Sequence, residues 1–541
     1  MAKVRVVARV LEDDHLECKI DADGGKKLIL TGLTTDVEPV VDGSSVLKKN
    51  RTLRDNAWAL AKFTYLKVSL ESPEEQENAE KRAKAYQEEV EWIAELAAAP
   101  GVVSQKGWCS SCFAKANHEK VERPAGQTPA YLCQKCGSPT LPCADPRCDN
   151  MAVRERGRVR IPRFCAEHRH DIPSFKKGDA KIESLEDYEE FLEYEQPNLS
   201  RTTKIGGSVL AGLAVLGTAG VAAAPAIGGA LGTLIGGYSG AAATSYGLAL
   251  LGGGSLAAGG LGMAGGTFVI ATVGAALGGA VGASVTNAYV REDKSFRIEL
   301  LRSGDGVPVV VCNGFLSEGS SGWGEWKELI SNRYPDSPVY KLHWGAKELK
   351  DLGILAGYGS VKIAAPTALK SAAMSATKQG GKKLLPVGPA LFASELAKNP
   401  WHVAKSRADK TGVILADLLA RTKAPKYVLV GHSLGARVMA IAAESLGTNQ
   451  EAPRLEAVHL TGAAIGANSD WDALVAGVDD AVYNYFSTND KVLKYLYTVA
   501  MGGQKAAGQA GFNPCPSKLK NIDVSSKVER HSDYYTKVKL I

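Results

Sequence analysis

The sequence predicts an α/β fold with a mostly parallel sheet over residues 291–541. Ahead of it come a small α+β unit, a cysteine-rich module and a long uncharged stretch. Three observations carry this. Continuous apolar runs such as VPVVVCNGF (307–315) alternate with helical patterns, as in a parallel sheet covered on both faces. Four short pairs of metal-type ligands fall between positions 109 and 168. From Ile205 to Val290 there is no Asp, Glu, Lys, Arg or His.

At 541 residues the chain has room for about three or four domains. A net charge of +6 is mild for that size, so composition gives no general nucleic-acid role. Residues 1–100 read as the α+β unit: polar and apolar residues alternate from the start, and DADGG (21–25) and VDGSS (41–45) are turn signals. The opening MAKVRVVARV alternates like a strand and lacks the apolar core of a secretory signal. Residues 73–99 then read as a long helix capped by Ser72, with Trp92, Ile93 and Leu96 facing inward.

Residues 101–180 hold the cysteine module. Cys109 with Cys112, Cys133 with Cys136, Cys143 with Cys148, and Cys165 with His168 make four pairs. Two thiolates on one tight turn reach a single ion, so four pairs fit two closed tetrahedral zinc sites of structural type. Without a secretory signal, this spacing points to metal in a reducing compartment rather than to disulfides. The pairing stays open: consecutive pairs share an ion, or the first and third do. His170 is an alternative to His168. The basic stretch 153–163 reads as a solvated loop of this module in preference to a nucleic-acid contact, and the module is a surface for a protein partner.

Residues 181–204 are an acidic helix (184–196) and linker. In 205–290, glycines recur every fourth residue at Gly228, Gly232, Gly236 and Gly240, and again at Gly274, Gly278 and Gly282. That spacing lets helix backbones approach closely, as in small-xxx-small packing in bilayers. Basic residues on both flanks (Arg201, Lys204, Arg291, Lys294) suit membrane hairpins with both ends cytoplasmic. The competing reading is a packed soluble hairpin.

In the last part, strands are expected at 307–315, 337–344, 426–430, 455–465, 480–488 and 521–525, with a helix at 436–446. LVGHSLGAR (429–437) places Ser433 on a strand-to-helix turn between Gly431 and Gly435, where a nucleophile elbow would sit. A serine needs a base and an orienting acid, which in such a fold follow in the order acid, histidine. His531, in VERHSDYY, lies after the last strand, where the base belongs; His459 lies inside a strand and reads as structural. Asp490 is the acid that falls just past a strand end, with Asp470 the runner-up. The oxyanion donors expected are the N–H of Leu434 and one from the CNGFLSEG loop, Phe315 first and Leu316 next. An insertion at 345–410, rich in lysine and apolar residues, reads either as a lid at an anionic membrane or as a surface helical insertion with solvated lysines.

GHSLG, NGFLSE and HSDYY resemble the α/β-hydrolase superfamily. With the apolar stretch before them, they are similar to the transmembrane-and-coiled-coil-domain hydrolase-like family. The resemblance covers residues 205–541 and implies Ser433, Asp490 and His531 as a triad with lipase-like activity at membranes. A double cysteine module is outside that family's usual layout. The expectation is therefore a membrane-associated serine hydrolase of lipid esters, lipase or phospholipase, with lipid membrane as partner. The alternative is a non-catalytic membrane scaffold that keeps the fold.

Overall fold

The structure is a computed structural model that describes residues 4–200, 277–314, 321–345 and 388–541, apart from scattered positions within those ranges. Two compact units result: residues 1–181 with 188–292, and residues 182–187 with 293–541.

The first unit opens with an antiparallel sheet in the order β1 (Arg5–Val10), β2 (His15–Ala22), β3 (Lys26–Leu33), β4 (Val40–Gly43). Its period-two pattern buries Leu16, Cys18, Ile20, Leu28 and Leu30 on one face. A helix at Arg51–Ser69 follows, its start capped by Asn50, whose Oδ1 accepts the Leu53 N–H at 2.9 Å. The long helix spans Pro73–Ala98, with Trp92, Ile93 and Leu96 buried; Ser72 lies outside the described residues. The two helices meet where Phe63 stacks on Tyr86, centroids 5.3 Å apart.

A five-stranded antiparallel sheet carries the cysteines: β5 (Gly101–Trp108), β6 (Lys115–Val121), β7 (Tyr131–Cys133), β8 (Pro139–Pro142) and β9 (Met151–Val153). It is not independent of the helices before it. Thr52 donates to the Cys136 carbonyl at 2.9 Å, and Asn50 Nδ2 to that of Gly137 at 3.1 Å. Of the described basic residues after β9, Arg154 lies over Trp92 at 5.2 Å and Arg163 pairs with Glu155 at 2.6 Å. The acidic stretch 184–196 differs from the full helix expected. It forms a 3-10 turn, Leu185–Asp187, and a single helical turn, Tyr188–Phe191. Like charges at i,i+4, Glu186 with Glu190 and Glu189 with Glu193, oppose a longer helix.

The second unit is an α/β domain whose seven strands run in the order β10-β12-β11-β13-β14-β15-β16. These are β10 (Arg297–Arg302), β11 (Val309–Cys312), β12 (Val339–His343), β13 (Lys426–His432), β14 (Arg454–Thr461), β15 (Val482–Phe486) and β16 (Leu519–Asp523). Every pairing is parallel except that of the edge strand β10 with β12. Central strands are covered on both faces: Val309, Val310, Val311 and Val428, Leu429, Val430 are all fully buried. On one face Trp326, Leu329, Ile330 and Tyr534 pack against Val309, Val311, Val428 and Val430.

The helix Leu434–Gly447 presents the small residues Ala436, Ala440 and Ala443 to its surroundings, so it seats deeply and almost wholly buried. A helix at Gly388–Arg421 packs on it, closely enough that a Cβ at Gly412 would lie 2.7 Å from Ile441 Cβ. Most of the lysine-rich insertion 345–410 lies outside the described residues, and its end belongs to this helix. The uncharged stretch 205–290 is also almost wholly outside them. Among the described residues no helix is long and apolar enough to cross a membrane.

Candidate active site and metal centres

Ser433 stands between β13 and the helix Leu434–Gly447 with φ 58° and ψ −123°, a conformation L-residues avoid and which typically costs about 1–3 kcal/mol. The turn is over-determined by its neighbours. Ser433 N–H donates to the Thr461 carbonyl at 3.0 Å, and its own carbonyl accepts from Ala464 N–H at 3.1 Å. A Cβ at Gly431 would lie 2.5 Å from Ala436 Cα, and one at Gly435 2.2 Å from the Cys312 carbonyl oxygen. Gly431 thus makes room for the helix, while Gly435 lets the helix start pass the end of β11. The serine is buried, and its Oγ has no hydrogen-bond partner among the described residues.

The elbow helix is held by a buried bidentate pair, Arg437 Nε to Asp409 Oδ1 at 2.6 Å and Nη2 to Oδ2 at 3.1 Å. The loop after β11 crosses directly over the serine: a Cβ at Gly314 would sit 2.5 Å from Ser433 Cβ and 2.9 Å from Oγ. Two tryptophans pin that loop at Asn313. Trp326 Nε1 donates to its side-chain oxygen and Trp344 Nε1 to its carbonyl, the latter at 3.2 Å. Leu434, a proposed oxyanion donor, opens the helix, where the first N–H groups have no intrahelical partner. Phe315 and Leu316, the candidates for the other donor, lie outside the described residues.

Asp490 and His531, far apart in sequence, are both buried and meet at 2.6 Å, Oδ2 to Nδ1. The carboxylate is fixed from both sides. Its Oδ1 accepts the N–H groups of Val492 and Leu493, both at 3.1 Å, and Tyr534 Oη donates to Oδ2 at 3.4 Å. Ser487 Oγ donates to the Val528 carbonyl at 2.7 Å and ties the loop bearing the acid to the loop bearing the histidine. Asp533 braces the latter by accepting from Glu529 and Arg530 N–H at 3.2 and 3.1 Å. Asp470 lies outside the described residues.

His432 joins the elbow to this pair, its ring 4.7 Å from that of His531 between centroids. Its Nδ1 lies 3.0 Å from the Thr461 carbonyl, which only accepts, so Nδ1 carries the proton. Burial, with His531 beside it, pushes its pKa far below the ordinary value and keeps it neutral. Neither His432 nor Tyr534 was singled out by sequence reasoning; for Tyr534 the HSDYY run was the available signal. His459 is the structural residue expected, buried between Tyr334 (2.7 Å) and Tyr485 (3.2 Å), with burial lowering its pKa to about 3.

The cysteines form two groups that could hold metal ions: Cys109, Cys112, Cys133 and Cys136, and Cys143, Cys148, Cys165 and His168. Sheet parity explains the pairing. In an antiparallel meander, alternate turns lie at the same end, so the β5–β6 and β7–β8 turns bring their cysteines together. The β8–β9 turn lies at the other end, and its Cys143 and Cys148 meet the later Cys165 and His168. The spacing fits a tetrahedral ion. Thiolates about 2.3 Å from such an ion are about 3.8 Å apart, and Cys109–Cys136, Cys112–Cys133 and Cys148–Cys165 stand at 4.0, 4.0 and 3.8 Å. These distances are far beyond a disulfide bond, and all the cysteines are free. His168 enters through Nδ1, 3.4 Å from both Cys143 and Cys165 Sγ. His170 does not join; its Nε2 lies 2.6 Å from the Gln196 carbonyl.

A family model described as "Protein of unknown function (DUF726)" matches residues 198–541. Among curated proteins, the chain is 27% identical over 300 residues to Uncharacterized membrane protein F35D11.3 of Caenorhabditis elegans, covering 53% of this chain and 47% of that one. It is 28% identical over 230 residues to Transmembrane and coiled-coil domain-containing protein STS1 of Oryza sativa, covering 39% and 32%. It is 26% identical over 290 residues to Probable lipase MIL1 of Saccharomyces cerevisiae, covering 50% and 25%. The chain spans less than half the length of each of these relatives. No solved structure matches it.

Proposed function

The chain belongs to the DUF726 family, and we propose that it is a membrane-associated serine ester hydrolase, a lipase or phospholipase, with an α/β-hydrolase catalytic domain. One observation carries this reading: a buried serine in a strained backbone at a strand-to-helix turn, its Oγ without a described partner, and a buried Asp–His pair whose histidine ring lies 4.7 Å from that of His432, the residue before the serine. A packing role gives no reason to hold a serine in that conformation. A parallel sheet with one antiparallel edge strand, and the chain order serine, acid, histidine, agree with the same reading.

In the proposed mechanism Ser433 Oγ attacks the ester carbonyl carbon while His531 Nε2 takes its proton. Asp490 holds the Nδ1–H and stabilises the imidazolium. Leu434 N–H and a donor from the Gly314 loop, Phe315 first, receive the oxyanion, each worth about 2.7–4 kcal/mol in the transition state. Collapse breaks the C–O bond, and His531 returns the proton to the departing alcohol. Water, deprotonated by the same histidine, then releases the acid from Ser433 and restores the enzyme.

Lipid is favoured as substrate because the uncharged stretch 205–290 suits a bilayer, one relative is named a probable lipase, and others are named membrane proteins. Both flanking parts of the chain are assigned to the cytoplasm. Zinc is the ion we assign to the two cysteine groups, in a structural role: it takes four thiolate or imidazole ligands in a closed tetrahedron. Their module offers a surface to a protein partner.

The test uses purified wild type, Ser433→Ala, His531→Ala and the double variant on a short p-nitrophenyl ester and on phospholipid vesicles. Each single change is expected to remove several orders of magnitude of turnover, without additivity in the double. Near-wild-type turnover in either single variant refutes the assignment.

A further inference from the structure

The two metal centres are built differently around their ligands. Backbone N–H groups point at sulfurs in both: those of Ser111 and Ser138 at Cys109 and Cys136, both at 3.4 Å, and that of Cys165 at Cys143 at 3.3 Å. The Cys136 turn is also gripped by Asn50 and Thr52 from the preceding helix start. In the second group the fourth ligand is an imidazole, which binds as a neutral ring and pivots on its side-chain torsions unless its far nitrogen is held. That nitrogen, His168 Nε2, faces Asp145 Oδ2 at 3.4 Å. Asp145 is itself buried, and its Oδ1 accepts the Arg147 N–H at 3.0 Å, so the carboxylate is fixed before any ion arrives.

Access differs as well. A cleft of about 590 Å³ has Cys148, His168 and Asp145 in its wall, with Lys115, Arg147 and Lys176, and no cysteine of the first group. A chelator entering it meets ligands of the second centre directly.

We propose that Asp145 is the positioning residue that fixes His168 as an Nδ1 ligand, and that the Cys143–Cys148–Cys165–His168 centre is the exchangeable one of the two. The first centre is the permanent one. This rests on the reading that zinc occupies both groups. The closing experiment separates the two ideas by measuring occupancy first and exchange second.

The full-length chain, isolated with its metal, is assayed for zinc by elemental analysis, then mixed with the anionic chromophoric chelator 4-(2-pyridylazo)resorcinol. Wild type is expected to hold two equivalents and release them in two phases of one equivalent each. Asp145→Ala is expected to speed the fast phase by about tenfold or more, the usual range for losing such an outer partner, and to leave the slow phase unchanged. Asp145→Asn, which still accepts from Nε2–H, is expected to recover part of the difference. With cobalt in both sites, Asp145→Ala is expected to shift the d–d bands of the centre with one nitrogen ligand and to spare those of the four-thiolate centre. Two equivalents leaving in one phase, or an unchanged fast phase in Asp145→Ala, overturns the proposal and leaves zinc occupancy intact. A chain isolated without zinc overturns both.

Discussion

Gly314→Ala is a one-methyl test of the geometry at the serine. The added Cβ would stand 2.5 Å from Ser433 Cβ and 2.9 Å from its Oγ, where carbon contacts normally lie near 3.5–4.0 Å. Relief requires a movement of about 1 Å, shared between the loop after β11 and the serine. The loop is pinned at Asn313 by Trp326 and Trp344, so part of that movement falls on Ser433. Overpacking of this kind costs about 1–3 kcal/mol in stability, or a fall in Tm of about 2–4 °C for each kcal/mol in a domain of this size. Catalysis is more sensitive: a misplacement of about 1 Å costs about 100-fold. The expected result is a folded protein whose kcat/KM on a short p-nitrophenyl ester falls about 100-fold, with a parallel fall in labelling rate by a fluorophosphonate. Activity within threefold of wild type, with Tm unchanged, would show that the loop does not press on the serine and refute the reasoning.

Acid should destabilise the second unit through His459. Its folded pKa, about 3, lies below the unfolded value, about 6.5, so the unfolded state binds more protons between them. Stability is then full above about pH 6.5 and falls as pH drops toward 3, by on the order of 4 kcal/mol. Urea unfolding of wild type and His459→Gln should show a flatter pH slope for the variant, and equal slopes count against the assignment. Cys136→Ser should release one of two zinc ions and destabilise the first unit, while turnover of a soluble ester persists; thermal melts and elemental analysis read both. Deleting residues 205–290 should lower hydrolysis of vesicle lipid far more than that of a soluble ester, and abolish flotation with liposomes. An equal loss of both activities, with full-length protein that never floats, would identify a packed soluble hairpin.

The parallel core was legible because its strands are apolar on both faces: VPVVVC and KYVLV have nowhere to go but inside a sheet. The elbow was legible because glycine is the only residue that tolerates the contacts at 431 and 435. The edge strand β10 was not. RIELLR keeps Arg297 exposed and buries Ile298, while Leu300 stays out, a mixed pattern that a loop shows equally. Strands β7 and β9 are three residues long, too short to display a period. The metal pairing was illegible for the same reason, since it follows from which end of the meander each turn occupies. His432, Tyr534 and Asp145 act through contacts across 99, 44 and 23 positions, with His531, Asp490 and His168. No local spacing encodes such contacts. Asp490 and His531 were reached from chain order and from their places just past expected strands, which constrain sequence without giving geometry.

The most direct measurement is the site and rate of covalent labelling by a fluorophosphonate, read by peptide mass spectrometry on the full-length chain. The account predicts one adduct, on Ser433, absent from Ser433→Ala and slowed by orders of magnitude in His531→Ala and Asp490→Asn. Absence of an adduct on Ser433, under conditions that label known lipases to completion, or its undiminished formation in His531→Ala, would contradict it.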